Sequence, residues 1–324
     1  MLKKIMLLSI LLFIVGCTST TRIPETHIIN KNLETEKVTG DSKISMTSYK
    51  GWANCIEIKN SKVKVILVPA VARVMYFGAS DGTNLLWENK RVEGETNTEE
   101  EAQKIWSNYG GEKLWISPQA LMLEATGRYW PPEYYTDSCP WETVEIAGNT
   151  VTISSRYSPN YRLQLTRTFC LKDNTLEITN TIQASENPFD FSLAPWSVLQ
   201  IIPPKTVVIA RSSAKKGQPG GFVTLDGNPS SPDGVDELSF PILEQLKSWK
   251  IGAHSHYIRA EYPKYTLIVS AEVAKGRLYH DHDSAIELYV KGKPMDYIEL
   301  ETLGIPTHLS PYQRVSSKVK WTLE

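Results

Sequence analysis

Two glutamates spaced two residues apart are the sharpest chemical signal in the chain. They lie in Tyr297-Ile298-Glu299-Leu300-Glu301-Thr302. On a strand, alternate side chains share a face, so Glu299 and Glu301 point together while Ile298 and Leu300 point the other way. With the apolar pair in a core, the carboxylates face either solvent or a cleft. In a cleft, each like charge raises the pKa of the other, as a general base working near neutral pH requires. A solvated strand face is the plain alternative, because glutamates are mostly exposed.

The histidines form two His-x-His pairs, His254-Ser255-His256 and His280-Asp281-His282, the second followed by Asp283. This spacing presents two imidazoles to one metal, but no third ligand is identifiable, so surface or sugar-contacting histidines are expected and no metal. There is no Gly-x-Ser-x-Gly elbow, phosphate-binding loop or His-Glu-x-x-His motif, and no cofactor is expected. Gly110-Gly111 reads as a sharp turn that lets backbone approach a neighbour or a ligand.

Trp106 to Trp141 carries eight of the 31 aromatic residues, four of them tryptophans. Prolines, glycines and charges break any helical or strand period there. Such a segment lines a cavity or a rim, and indole faces beside hydrogen-bonding groups suit a sugar. The competing reading is that these rings plug one end of a β-sandwich, since Trp and Tyr serve both roles.

The elements that position these residues are mostly strands. Strands are expected at Cys55–Ile58, Val63–Pro69, Val71–Phe77 and Asn84–Glu88. Two hairpin strands, Thr143–Ile146 and Val151–Tyr157, follow the aromatic segment. Tyr161–Leu171 alternates clearly and turns at Lys172-Asp173-Asn174 into Leu176–Ile182. Phe189–Ile202 and Thr206–Ala210 precede a long loop to about Leu238, with a strand at Phe222–Leu225. His256–Glu261, Tyr265–Glu272, Ala285–Val290, Tyr297–Thr302 and Arg314–Thr322 complete the set. Two short helices are expected. One spans Thr98–Trp106 with a Thr98/Glu101 capping box, and the other Pro241–Trp249. About fifteen short strands with two helices predict an all-β fold, a large antiparallel sandwich.

The N-terminus reads as targeting sequence. Lys3 and Lys4 precede the apolar run Ile5–Val15, too short to span a bilayer, and Gly16-Cys17 closes it. Residues 1–16 are expected to be a lipoprotein signal peptide, with Cys17 carrying the lipid. Thr18 at the next position fits an outer-membrane anchor, with the protein facing the periplasm or the cell surface. Residues 17–45 are polar and read as a flexible tether, and residues 46–324 as one domain. The remaining cysteines, Cys55, Cys139 and Cys170, do not form a disulfide framework. Formal net charge is −1, and losing Lys3 and Lys4 takes it to about −3. No basic stripe is present, so nucleic acid is not an expected partner.

Together these stretches resemble a known group. Asn108-Tyr109-Gly110-Gly111-Glu112-Lys113-Leu114-Trp115-Ile116-Ser117-Pro118, then Trp130-Pro131-Pro132 and Pro140-Trp141, are similar to a bacterial family of unknown function, DUF4380, of the galactose mutarotase-like superfold. Ser192 to Gln200, Ile286-Glu287-Leu288-Tyr289 and Glu299 to Gly304 follow in the same order. The resemblance implies a β-supersandwich whose concave sheet binds sugars. In the epimerases of this superfold, a C-terminal Glu takes the anomeric proton and a His protonates the ring oxygen. By resemblance the base is Glu301, or Glu299 if the register slips, and Arg73 contacts the sugar. The histidine does not carry over, because Ala194-Pro195-Trp196 stands where epimerases often have His-Pro-Tyr. Trp196 then offers a stacking face, and His256 or His282 would have to supply the proton. Three readings follow. The first is a saccharide-binding surface lipoprotein lined by Arg73, Lys113, Trp115, Trp130, Trp196 and His256, with Glu299 as a further ligand contact and Glu301 at the floor. The second is an aldose 1-epimerase, and the third a structural or assembly lipoprotein.

Overall fold

The computed structural model describes residues 26–30, 42–211, 217–294 and 296–324. Two large sheets, of ten and eleven strands, pack on each other. The first is a long antiparallel meander through Thr143–Ala147, Thr150–Ser154, Leu163–Lys172 and Thr175–Ala184. It continues through the C-terminal strand Arg314–Leu323 to Thr266–Ala271, Tyr257–Glu261, Thr206–Ala210 and Glu237–Pro241. The second runs from Val223–Asp226 through Trp249–Ala253, Ile286–Val290, Ile298–Leu303 and Ser192–Ile201. It then passes Glu112–Ser117 and Arg73–Ala79 on its way to Lys43–Tyr49. The expected all-β sandwich is the fold.

Residue alternation dictates how the layers meet. In Leu163–Lys172 every second residue is buried and the others are half-buried or, at Lys172, exposed, the pattern of a sheet with one covered face. Ser192–Ile201 and Arg73–Ala79 are buried along nearly their whole length, so the second sheet is covered on both faces. Between the sheets lies one apolar core that includes Phe77, Leu199, Leu288, Leu300 and Trp321. Each such side chain, fully buried, stabilises the fold by roughly 1.5–3 kcal/mol. One charge pair crosses this interior. Arg167 of the first sheet donates to both oxygens of Glu112 in the second, at 2.6 and 2.7 Å. Ser197 Oγ donates to Glu112 and Asn180 Oδ1 accepts from Arg167, so the pair is embedded in further hydrogen bonds.

The helices differ from expectation. Glu99–Lys104 forms with its Thr98/Glu101 capping box. Pro241–Trp249 is not helical, because both of its ends belong to strands. Pro241 pairs with Thr206, and Trp249 pairs with Val290. Short helices form instead at Leu121–Thr126 and Tyr134–Asp137, and His280–Asp283 is a left-handed turn. His27–Asn30, within the stretch read as a tether, pairs in parallel with Thr143–Ala147. The second sheet begins at Lys43. The expected signal peptide and Cys17 lie outside the described residues. Among the described residues, no helix is long and apolar enough to cross a membrane.

Candidate functional site

Register assembles one row of side chains on the outer face of the second sheet. Trp196 pairs with Trp115, Val198 with both Lys113 and Glu301, Gln200 with Glu299, and Glu287 with Glu301. Because side chains alternate, all of these share one face, while Leu199, Leu288 and Leu300 fill the inter-sheet core. Glu299 and Glu301 therefore both face the tryptophans. The Trp115 and Trp196 ring centroids are 5.5 Å apart, and Trp106 lies 6.3 Å from Trp115. Trp130, 46% exposed, sits edge-to-face over Trp106 at 4.8 Å. Four indoles far apart in sequence thus meet in one cluster.

Their ring N–H groups have to be satisfied when buried. Asp137, at the end of the Tyr134–Asp137 helix, satisfies two of them. It accepts from Trp115 Nε1 at 2.9 Å and from Trp106 Nε1 at 3.2 Å. Arg73 Nη2 donates to the same carboxylate at 2.9 Å, and both partners are buried. Arg73, expected to touch a sugar, is 1% exposed and occupied by Asp137, so it acts through that residue. Sequence reasoning missed Asp137. The available signal was that several buried indoles in one segment require a nearby acceptor.

The third indole points to the late carboxylates. Trp196 Nε1 donates to Glu301 Oε2 at 2.6 Å, and Lys250 Nζ donates to the same oxygen at 2.9 Å. Lys250 also lies 2.6 Å from Glu287 Oε2, so one ammonium faces two buried carboxylates. Burial pushes Glu287 well above the usual carboxylate range, and Lys250 opposes this without reversing it. Burial alone would lower Lys250, but Glu301 and Glu287 outweigh it and hold the ammonium charged. One ammonium thus bridges two buried carboxyls, Glu301 at 2.9 Å and Glu287 at 2.6 Å. Lys113 is buried with its ammonium 4.4 Å from the Trp115 ring centroid and 3.9 Å from Glu299 Oε1. Burial lowers its pKa, partly offset by Glu299. Gln200 Nε2 donates to Glu299 at 2.7 Å, and burial raises Glu299.

A different histidine from the expected one reaches this face. His280 Nδ1 lies 2.8 Å from Ser117 Oγ, two residues along the strand from Trp115, and burial keeps its pKa below 6.5. His254 pairs with Asp283 at 3.2 Å. His256 is not brought to the cluster: it is exposed, its ring lies against Tyr257, and the strand that follows it belongs to the other sheet. His282 is exposed as well. Asp281, His282 and Asp283 have φ of 52°, 61° and 66°. Such left-handed conformations each cost about 1–3 kcal/mol for non-glycine residues. Buried Gln218 holds the turn, donating to the His282 carbonyl at 2.9 Å and accepting from His254 N at 3.1 Å. Among the described residues, no cluster of three or more His, Cys, Asp or Glu is placed to hold a metal.

Gly110 and Gly111 serve packing. A Cβ on Gly110 would lie 2.3 Å from the Trp87 carbonyl oxygen, and one on Gly111 2.3 Å from that of Val74. The close neighbour is therefore backbone.

Solved structures share this architecture. A galactose mutarotase-like protein from Lactobacillus casei ATCC 334 superposes with a TM-score of 0.55 at 12% identity, over 83% of this chain and all of its own. One from Clostridium acetobutylicum gives 0.54 at 12% identity, over 88% of this chain and 99% of its own. Galactose 1-epimerase from Lactobacillus acidophilus NCFM gives 0.53 at 12% identity, with the same coverage. The fold is galactose mutarotase-like. No family model matches the chain, and no curated protein matches it in sequence.

Proposed function

We propose that the protein binds a saccharide on the outer face of its second sheet. The observation that carries this reading is the cluster of Trp106, Trp115, Trp130 and Trp196 beside Glu301, Lys250, Glu299 and Lys113. Two of the buried indoles are locked by Asp137 and a third by Glu301, so their planes are fixed before any ligand arrives. A pyranose offers an apolar C–H face to such rings and hydroxyls to the carboxylates and ammonium groups. The sugar-related names of proteins sharing the fold support the same class of ligand. Binding is measured by calorimetry and tryptophan fluorescence against a panel of mono- and oligosaccharides. Saturable binding that Trp196→Ala abolishes is the expected result. Absence of binding across the panel, with an unshifted Tm, refutes it.

A second reading is an aldose 1-epimerase-like activity with Glu301 as base. It is favoured by two carboxyls that share the Lys250 ammonium, Glu301 at 2.9 Å and Glu287 at 2.6 Å, with burial pushing Glu287 above the usual carboxylate range. Ring opening needs a proton taken from one oxygen and given to another, and Glu287 replaces the expected His256 as donor. Anomer-exchange NMR tests this. Accelerated exchange lost in both Glu301→Gln and Glu287→Gln supports it, and exchange at the buffer rate removes it.

The motifs from Asn108 to Pro118 and from Glu299 to Gly304 support membership of the DUF4380 family. The sequence Ile5 to Cys17 supports a lipoprotein with signal peptide 1–16, lipidated Cys17 and attachment to the bacterial outer membrane. Fatty-acid labelling that persists in Cys17→Ser refutes the anchor.

A further inference from the structure

The outer face continues past Glu299. One strand period earlier lies Tyr297, whose ring centroid is 4.6 Å from that of Trp87. Trp87 is fastened to the same sheet. Its N–H donates to the Gln200 carbonyl at 3.0 Å, and its carbonyl accepts from Gly111 at 2.8 Å. The two rings line a cavity of about 720 Å³, within the usual range for small-molecule sites. Four cations border it, Lys50, Lys90, Arg91 and Lys291, against two carboxylates, Glu88 and Asp296. Lys50 is bonded to Glu88 at 2.8 Å, and Lys291 to Asp296 at 3.1 Å. Among the described residues, Lys90 and Arg91 have no carboxylate partner. Their turn is nevertheless fixed: Asn89 Oδ1 accepts from Arg91 N at 3.1 Å, and Asn89 Nδ2 donates to the Asn108 carbonyl at 2.9 Å.

We propose that this cavity is a second subsite, taking an anionic sugar unit whose carboxylate or sulfate faces Lys90 and Arg91. The protein would then recognise an acidic oligosaccharide and not a single neutral sugar. The inference rests on the saccharide reading of the tryptophan cluster and extends it. Four residues separate Glu301 from Tyr297, about 13 Å of strand at ~3.3 Å per residue. One pyranose ring does not stack at Trp196 and reach Trp87 at the same time, so filling both places requires linked units. The charge pattern sets the order of those units. At the tryptophan end each charge has a counter-charge within the cluster, whereas the cavity has two cations in excess. Surplus positive charge along the rim attracts an anion in a salt-dependent manner.

Calorimetry on the full chain tests this with single sugars and with neutral, carboxylated and sulfated trisaccharides, at low and high salt. Anionic trisaccharides are expected to bind about ten-fold tighter than neutral ones, an advantage lost in the Lys90→Gln/Arg91→Gln double variant and at high salt. The carboxylated and sulfated arms identify which anion is preferred. Trp87→Ala is expected to weaken trisaccharides about ten-fold and leave single sugars unchanged, while Trp196→Ala abolishes binding of both. If neutral and anionic trisaccharides bind alike, or if Trp87→Ala changes nothing while Trp196→Ala still abolishes binding, the subsite is overturned and the saccharide reading survives. If no sugar binds at all, both fall.

Discussion

Lys250, Glu287 and Glu301 permit a coupled test, because one buried ammonium faces two carboxylates at 2.6 and 2.9 Å. Either glutamate is placed to serve as the counter-ion of that ammonium. Glu301→Gln leaves Glu287 beside Lys250, and Glu287→Gln leaves Glu301 there. Each single variant is therefore expected to cost about 0.5–1 kcal/mol. The double variant leaves Lys250 with no counter-ion in a largely dry site, a change worth about 3–5 kcal/mol. One-fifth of the Lys250 side chain reaches solvent, so ~3 kcal/mol is the expected figure. Urea unfolding of the four proteins at pH 7 then yields a coupling of at least about 1 kcal/mol. Additivity within ~0.5 kcal/mol refutes the shared-cation argument. The pH arm has a definite sign. The folded pKa of Glu287 is raised above its ordinary 4.5, so the stability it contributes is fully present below that pH. It is lost as pH rises through the folded value. Wild type is expected to lose stability relative to Glu287→Gln as pH rises above 4.5, and a flat difference curve is the contrary result.

Other substitutions probe the frame around the site. Arg73→Met leaves buried Asp137 with two indole donors but no cation, and about 3 kcal/mol of destabilisation is expected in thermal melts. A loss under ~1 kcal/mol argues that the pair has no positioning role. Gly110→Ala meets the Trp87 carbonyl at 2.3 Å, whereas Gly127→Ala meets nothing within 4 Å, although both glycines have positive φ. Gly127→Ala is expected to cost about 1 kcal/mol and Gly110→Ala clearly more, and the reverse order in denaturant titrations contradicts the packing account. In Lys113→Met, the mutant is expected to gain on wild type as pH falls below 10.5. Burial lowers the Lys113 pKa from 10.5, so the penalty on its charged form is absent above 10.5, grows as pH falls and is fully present below the folded value. Superimposable stability–pH curves for the two proteins count against it.

What the sequence revealed and what it hid follow from the range of the physics. Alternation is local, so Glu299 and Glu301 were readable as one face opposite Ile298 and Leu300, and the strands around them as a sandwich. Partner choice is not local. Nothing in the neighbourhood of Lys250 or Glu287 marks them as partners of Glu301 and each other, because sheet register brings them together, and the short Tyr134–Asp137 helix carries Asp137 to Trp115. Pro241–Trp249 reads as helical, yet pairing of Pro241 with Thr206 and Trp249 with Val290 overrides that reading. Among the histidines, identical His-x-His spacing concealed different outcomes: a left-handed turn carries His280 to Ser117, while His256 leads into the opposite sheet.

The plug reading of the aromatic segment fits Trp115 and Trp196, which are 8% and 6% exposed with their N–H groups bonded internally. A ligand held at this cluster would meet ring faces and Trp130, not indole donors. The same bonds bear on catalysis. Glu301 Oε2 already accepts from Trp196 and Lys250, so taking a proton from a sugar hydroxyl at that oxygen would displace one of these two donors. Lys250→Met separates binding from catalysis. If the site is catalytic, removing one donor frees the Glu301 oxygen, and anomer exchange quickens at neutral pH. If the site binds, exchange stays at the buffer rate and saccharide affinity falls together with the fixed orientation of the Trp196 ring, read out by indole fluorescence. Exchange that rises above the buffer rate in Lys250→Met decides against binding as the sole role of the site.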